Sequence, residues 1–220
     1  MGRPKIPRKS TAIDMTAMCD VAFLLLSFFI LTTKFKPAEA IAVTTPSSVA
    51  SKVAPDKDVV LVTIDPTGKV FLSMGDDKND LAKKGELADE IMKTKGVTFD
   101  KQKFVKAHFW GCSFTQLPAY LNIPEENRKG NLLAGIPADS TKGGNEFGEW
   151  IALVKNVYVG SKMNLLLKGD NASKYPAFKS VIDAFKKNDL LKFQMVTNPE
   201  SIPTGTELWK QSMKGEKREE

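Results

Sequence analysis

The sequence predicts an α+β protein: a single N-terminal transmembrane helix, then a small outer α/β-sandwich-like domain that carries an insertion. Three observations predict it. From Met15 to Thr33 the chain is apolar with one acidic residue, Asp20. Two β-rich runs flank a turn at Asp65, Pro66 and Gly68. A strand pattern, a helical pattern and a second strand pattern then follow one another between Asn164 and Thr197.

The apolar segment comes first. At about 1.5 Å per residue, Met15 to Thr33 reaches roughly 28 Å, close to the hydrocarbon thickness of a bilayer. Val21 to Leu31 is apolar on every side, with Ser27 the one polar member. A water-facing helix needs a polar stripe, and this segment has none. Three other readings compete. A buried core helix has the same composition, but basic residues lead into this one and a polar, Pro-containing stretch leaves it. A cleavable signal peptide fits Ala38-Glu39-Ala40 as its small-residue site. Against it, Asp20 abuts the apolar core, and Lys34, Lys36 and Pro37 separate that core from the site. A helix lying in the membrane interface requires a charged face that is missing here. Arg3, Lys5, Arg8 and Lys9 precede the helix, so residues 1–14 are expected in the cytoplasm and residues beyond about 34 across the membrane.

A charged side chain at the centre of a membrane helix costs about 2.5–3.5 kcal/mol on insertion scales, so Asp20 is expected to face a partner helix or an aqueous path, or to be protonated. At about 100° per residue, Thr16, Asp20, Ser27 and Leu31 share one face. Thr16 and Ser27 can hydrogen-bond or lead water to the Asp20 carboxyl, which makes them the supporting candidates should Asp20 exchange a proton. The alternative places Asp20 at the cytoplasmic edge, snorkelling into water; it lies only five residues beyond Met15.

Residues 34–57 lack a sustained apolar pattern and hold Pro46, Pro55 and several Ser and Thr, which predicts a linker. The outer domain is expected over 58–200. Val59 to Leu72 reads as a hairpin whose turn chemistry is supplied by Asp65, Pro66 and Gly68. Residues 96–160 read as an insertion containing Phe104, Phe109, Trp110, Phe114, Tyr120, Phe147 and Trp150. Those aromatics suit a core of its own, with a partner-binding surface as the other use. Within it, Thr141 to Asn145 reads as a loop and Glu146 to Val159 as a helix. Asn164 to Asp170 reads as a strand and its turn. Tyr175 to Lys187 shows helical spacing through Phe178, Val181, Ile182 and Phe185, and Leu191 to Thr197 is the last strand before an Asn198-Pro199 turn. Strand, helix, strand in that order is a parallel βαβ unit. Residues 201–220 form a C-terminal tail.

Composition removes several function classes. The net charge of +6 is spread in pairs with acidic neighbours, as at Lys83, Lys84 and Glu86, so no nucleic-acid partner is expected. Cys19 and Cys112 do not make a disulfide framework. A single histidine, His108, removes a His-based zinc site and a Ser/His/Asp set, and it reads as an ordinary satisfied side chain. The glycines are isolated and suit turns, with no phosphate-cradling loop. The chain is expected to be no enzyme, with no cofactor and no metal.

The run Ile13-Asp14-Met15-Thr16-Ala17-Met18-Cys19-Asp20-Val21, with the apolar residues after it, resembles the N-terminal signature of the ExbD/TolR proteins. Ala17 departs from the usual proline, which bears on where the helix starts. The hairpin and the 164–197 region are similar to the family's periplasmic strands, so the resemblance covers about residues 11–36, 58–95 and 162–198. It implies a bacterial inner-membrane protein with its C-terminal domain in the periplasm. It implies that Asp20 carries protons, that two copies (a homodimer) sit in a ring of a multi-span ExbB/TolQ-like partner, and that the outer domain acts on a TonB-like protein. The expected function is then energy transduction from the proton motive force to TonB-dependent transport. The alternative is a TolR-like envelope protein, tethered by its helix and bound to peptidoglycan, with no proton-carrying role.

Overall fold

The computed structural model describes residues 15–32, 41–49, 55, 57–124, 127–128, 130–138, 145–207 and 209–210. The expected cytoplasmic N-terminus 1–14, most of the Thr141–Asn145 loop and the end of the 201–220 tail lie outside them. The chain divides into two compact units, Met1–Pro37 and Ala38–Glu220.

The first unit holds α1, Met15–Thr32, none of whose residues is buried. Its length and composition suffice to cross a membrane. The helix already includes Met15 and Thr16 ahead of Ala17, as expected where alanine stands in place of proline.

The second unit is built on a four-stranded sheet. In chain order its elements are β1 (Ser47–Ser48), β2 (Val59–Ile64), β3 (Val70–Met74), α2 (Lys78–Lys95), α3 (Lys101–Lys106), α4 (Leu117–Asn122), α5 (Glu146–Val157), β4 (Asn164–Gly169), α6 (Tyr175–Lys187), β5 (Gln194–Val196) and β6 (Asn198–Pro199). The sheet order is β3-β2-β4-β5, and β1 pairs with β6 in a separate two-stranded piece. β2 and β3 form the expected antiparallel hairpin, with Val62 opposite Leu72. Its turn is held by the Asp65 carboxylate, which accepts from Thr67 Oγ1 and from the Lys69 amide, each at 2.7 Å. β4 joins β2 in parallel, Val60 beside Leu165, and β5 joins β4 in parallel after α6. The 164–197 region is thus the βαβ unit that its pattern requires.

Val60, Val62, Ile64, Leu165 and Leu167 point alternately to one face of the sheet and are buried there. They share one core with Leu87 and Ile91 of α2, Ile151 and Val154 of α5, and Val181 and Phe185 of α6. α5 packs against both α2 and α6.

Three features differ from the sequence expectation. The aromatics of 96–160 do not build a core of their own. Trp110 bridges Leu72 through two backbone hydrogen bonds of 2.7 and 2.9 Å, and Ile136 donates to the Val70 carbonyl at 2.8 Å. The segment thereby covers the outer edge of β3. Its rings stack inward, Phe104 on Trp110 and Phe114 on Trp150, each at 4.6 Å between centroids, in the core shared with the strands.

The last strand is shorter than Leu191–Thr197, because β4 offers pairing only from Leu166 to Lys168; Leu191 is exposed. Asn198-Pro199 is not a turn but β6, parallel to β1. Proline fits because the ladder uses the Asn198 and Glu200 amides, donating to Pro46 and Ser48 carbonyls, and skips residue 199. In consequence residues 41–49, placed by the sequence within the 34–57 linker, are docked on the domain.

Candidate functional site

α1 positions the residues that the sequence singles out. With 18 residues it reaches about 27 Å. Thr16, Asp20, Ser27 and Leu31 fall within roughly 60° of arc on one face. Thr16 stands one turn before Asp20, about 6 Å along the axis. Ser27 lies about 10.5 Å beyond Asp20, out of range of a direct hydrogen bond. Its hydroxyl donates instead to the Leu24 carbonyl at 2.9 Å. Thr32 Oγ1 likewise donates to the Phe28 carbonyl at 2.7 Å. Hydroxyls bonded to their own helix are what a hydrocarbon surrounding favours, since no water is there to bond them. The face therefore carries one carboxyl among apolar side chains. Such a group can take up and give back a proton only where a water path or a polar partner reaches it. One helix does not supply that path by itself.

The outer domain holds a polar cluster that sequence reading passed over. Lys84 is wholly buried in the second turn of α2. Its Nζ pairs with Asp76 at 2.6 Å and lies 5.8 Å from the centre of the Trp110 ring. Asp76 also faces His108 Nδ1 at 3.3 Å, so the lone histidine has a partner. One turn earlier on α2, Asp80 is buried, with Tyr158 Oη 3.5 Å away. Burial, then the nearby Asp58 charge, raises the Asp80 carboxyl above the usual Asp range, and Lys83 opposes them. The Tyr158 hydroxyl is raised as well, by burial first and then by Asp80. Lys83 pairs with Asp58 at 2.5 Å and caps the Tyr158 ring at 3.9 Å. Asp80 and Lys84, four residues apart on a helix, were the legible part of this cluster. That they point inward was not legible.

The two cysteines are free, Cys19 exposed and Cys112 buried. Burial, with the Glu146 charge added, pushes the Cys112 thiol up to about 12, which suits an inert packed side chain.

A clasp holds residues 41–49 to the domain. Thr44 N donates to Asp170 Oδ2 at 2.8 Å, and the Asn171 amide donates to the Thr44 carbonyl at 2.9 Å. Thr45 Oγ1 donates to Asn198 Oδ1 at 2.8 Å, while Asn198 Nδ2 donates back to the Thr45 carbonyl at 3.2 Å. Around these stand the two backbone bonds of the β1–β6 ladder.

The family model described as Biopolymer transport protein ExbD/TolR matches residues 7–200. The match takes in α1 with Asp20, the sheet, the segment 96–160 and the clasp. Comparison with curated proteins and with solved structures gives no match. Proteins of the matched family are anchored in the inner membrane, work with ExbB/TolQ-type membrane partners in a complex, and serve energy transduction in biopolymer transport. An apolar N-terminal helix with one carboxyl, a small α/β region after it and a match over residues 7–200 agree, and the chain belongs to the ExbD/TolR family.

Proposed function

We propose that this chain is the proton-carrying subunit of an inner-membrane motor that powers TonB-dependent transport across the outer membrane. The observation that carries the reading is Asp20, a lone carboxyl on an apolar helix within the span of the family match. A buried acid in such a helix is costly, and a helix used only as a tether has no need of it. Two copies of α1 inside a ring of a multi-span partner would place Asp20 against that partner's polar groups. Taking up a proton removes the carboxylate's attraction to them and giving it back restores that attraction, so proton flow displaces the helix pair. The N-terminus lies in the cytoplasm, and the sheet domain works in the periplasm on a TonB-like protein without enzymatic chemistry of its own. Thr16, one turn away, is the closer supporting residue of the proton path, and Ser27 the more distant one.

Asp20→Asn tests this, since Asn keeps size and hydrogen bonding but cannot ionise. With membrane levels of the protein unchanged, growth on a TonB-dependent nutrient such as chelated iron is expected to fail. Normal growth on every such nutrient would overturn the reading and leave the tethered, peptidoglycan-associated role in its place.

A further inference from the structure

We propose that the cleft between the β2–β3 turn, residues 134–138 and the start of α6 binds an extended acidic peptide segment of a protein partner. No residue of this cleft lies on α1, so the inference does not depend on the proton path.

The cleft holds about 550 Å³, within the range of ligand sites. Its charged lining residues are Lys69 and Lys174, and among the described residues no Asp or Glu lines it. The nearby Asp65 carboxylate is turned into the β2–β3 turn, where it accepts from Thr67 Oγ1 and the Lys69 amide, and it is not among the lining residues. Lys69 is held in place, its Nζ donating to the Leu133 carbonyl at 2.8 Å with donors to spare. Lys174 is exposed and has no ion-pair partner among the described residues. It immediately precedes α6, whose N-terminus no side chain caps and which adds positive potential on the same side.

Part of the lining is made of glycine and alanine, beside the larger Gln116, Ile136 and Pro137. Gly135 has φ 80°, and a Cβ on it would lie 2.8 Å from Lys69 Cβ. Gly68 has φ 86°, with a would-be Cβ 3.2 Å from Ala177 Cβ. Ala134 and Ala138 continue the same small surface. A peptide backbone can lie against these small residues while its carboxylates meet the two ammonium groups, as in the recognition of acidic motifs by basic clusters. A neutral glycan strand offers the lysines nothing to pair with.

The test is fluorescence anisotropy with full-length protein in detergent. The probes are a labelled Ala-Glu-Ala-Glu-Ala-Glu peptide and its Gln counterpart. The acidic peptide is expected to bind at least about tenfold tighter than the Gln peptide, and to weaken as salt rises. Lys174→Glu reverses an exposed charge, and Ala134→Trp fills the cleft from an exposed position; each is expected to weaken binding about tenfold. Lys162→Glu, the same charge change at the opposite end of the sheet, should leave affinity within about twofold. Equal binding of the Gln peptide, or insensitivity to either Lys174→Glu or Ala134→Trp, overturns the proposal. So does binding of a soluble glycan fragment with none of the acidic peptide.

Discussion

Asp80 and Lys84 sit one turn apart on α2, and the domain treats them in opposite ways. Lys84 keeps a counter-ion, Asp76, and an aromatic face. Among the described residues Asp80 has a long hydrogen bond to Tyr158 and stands near the Asp58 carboxylate. Burial therefore favours the neutral form of Asp80, and its folded-state value lies above the unfolded one. The folded chain then holds this proton more tightly than the unfolded chain. The contribution to stability is full below the ordinary Asp range and is lost as pH rises through the raised folded value. Thermal unfolding of wild type and Asp80→Asn across pH checks this: the variant should gain on the wild type as pH rises. A difference that is flat with pH, or that shrinks as pH rises, contradicts it.

At the scale of elements, the join of β1 to β6 is only two residues long. Thr45 is buried there, but hydrogen bonds rather than apolar packing hold the pair. Asn198→Ala removes both side-chain bonds to Thr45, at about 1 kcal/mol each. The expected result is faster amide exchange at Asn171, Asn198 and Glu200, with β2 and β4 unchanged; exchange that speeds equally in all of them would mean that the clasp is not separable from the sheet. This join also marks where the sequence stops being readable. α6 runs over Tyr175–Lys187 as its apolar spacing requires, and the β2–β3 hairpin follows from alternation and a local turn. Both signals lie within a few residues of each other. The pairing of Ser47–Ser48 with Asn198–Pro199 joins polar residues about 150 positions apart, with no periodicity to announce it. For the candidate site, a carboxyl at Asp20 in an apolar helix is plain in the sequence. The hydroxyl of Ser27 turning back to Leu24 is a matter of helix geometry that only coordinates reveal.

For the molecule as a whole, the segment 96–160 decides how the outer domain holds together. Its aromatic content was legible as core material, but not whose core it would fill, because the partners outside the segment, Phe71 for Phe109 and Phe185 for Phe147, are distant in sequence. Since Trp110 and Trp150 are packed into the core that the strands share, the domain should unfold in one step. In a Trp209→Phe background, the fluorescence transition of Trp110 and Trp150 and the circular-dichroism transition of the sheet are expected to share one midpoint. An earlier fluorescence transition would show the segment melting alone. The clasp at residues 41–49 stands outside this cooperative body, on the stretch of chain that leads from α1 to the sheet. A pull arriving along that stretch meets the half-buried Ile41 and the hydrogen bonds around Thr44 and Thr45 before it meets the strands of the sheet. If those contacts part, the freed residues pay out about 30 Å of slack, so the join acts as a mechanical fuse that lengthens the tether and spares the core.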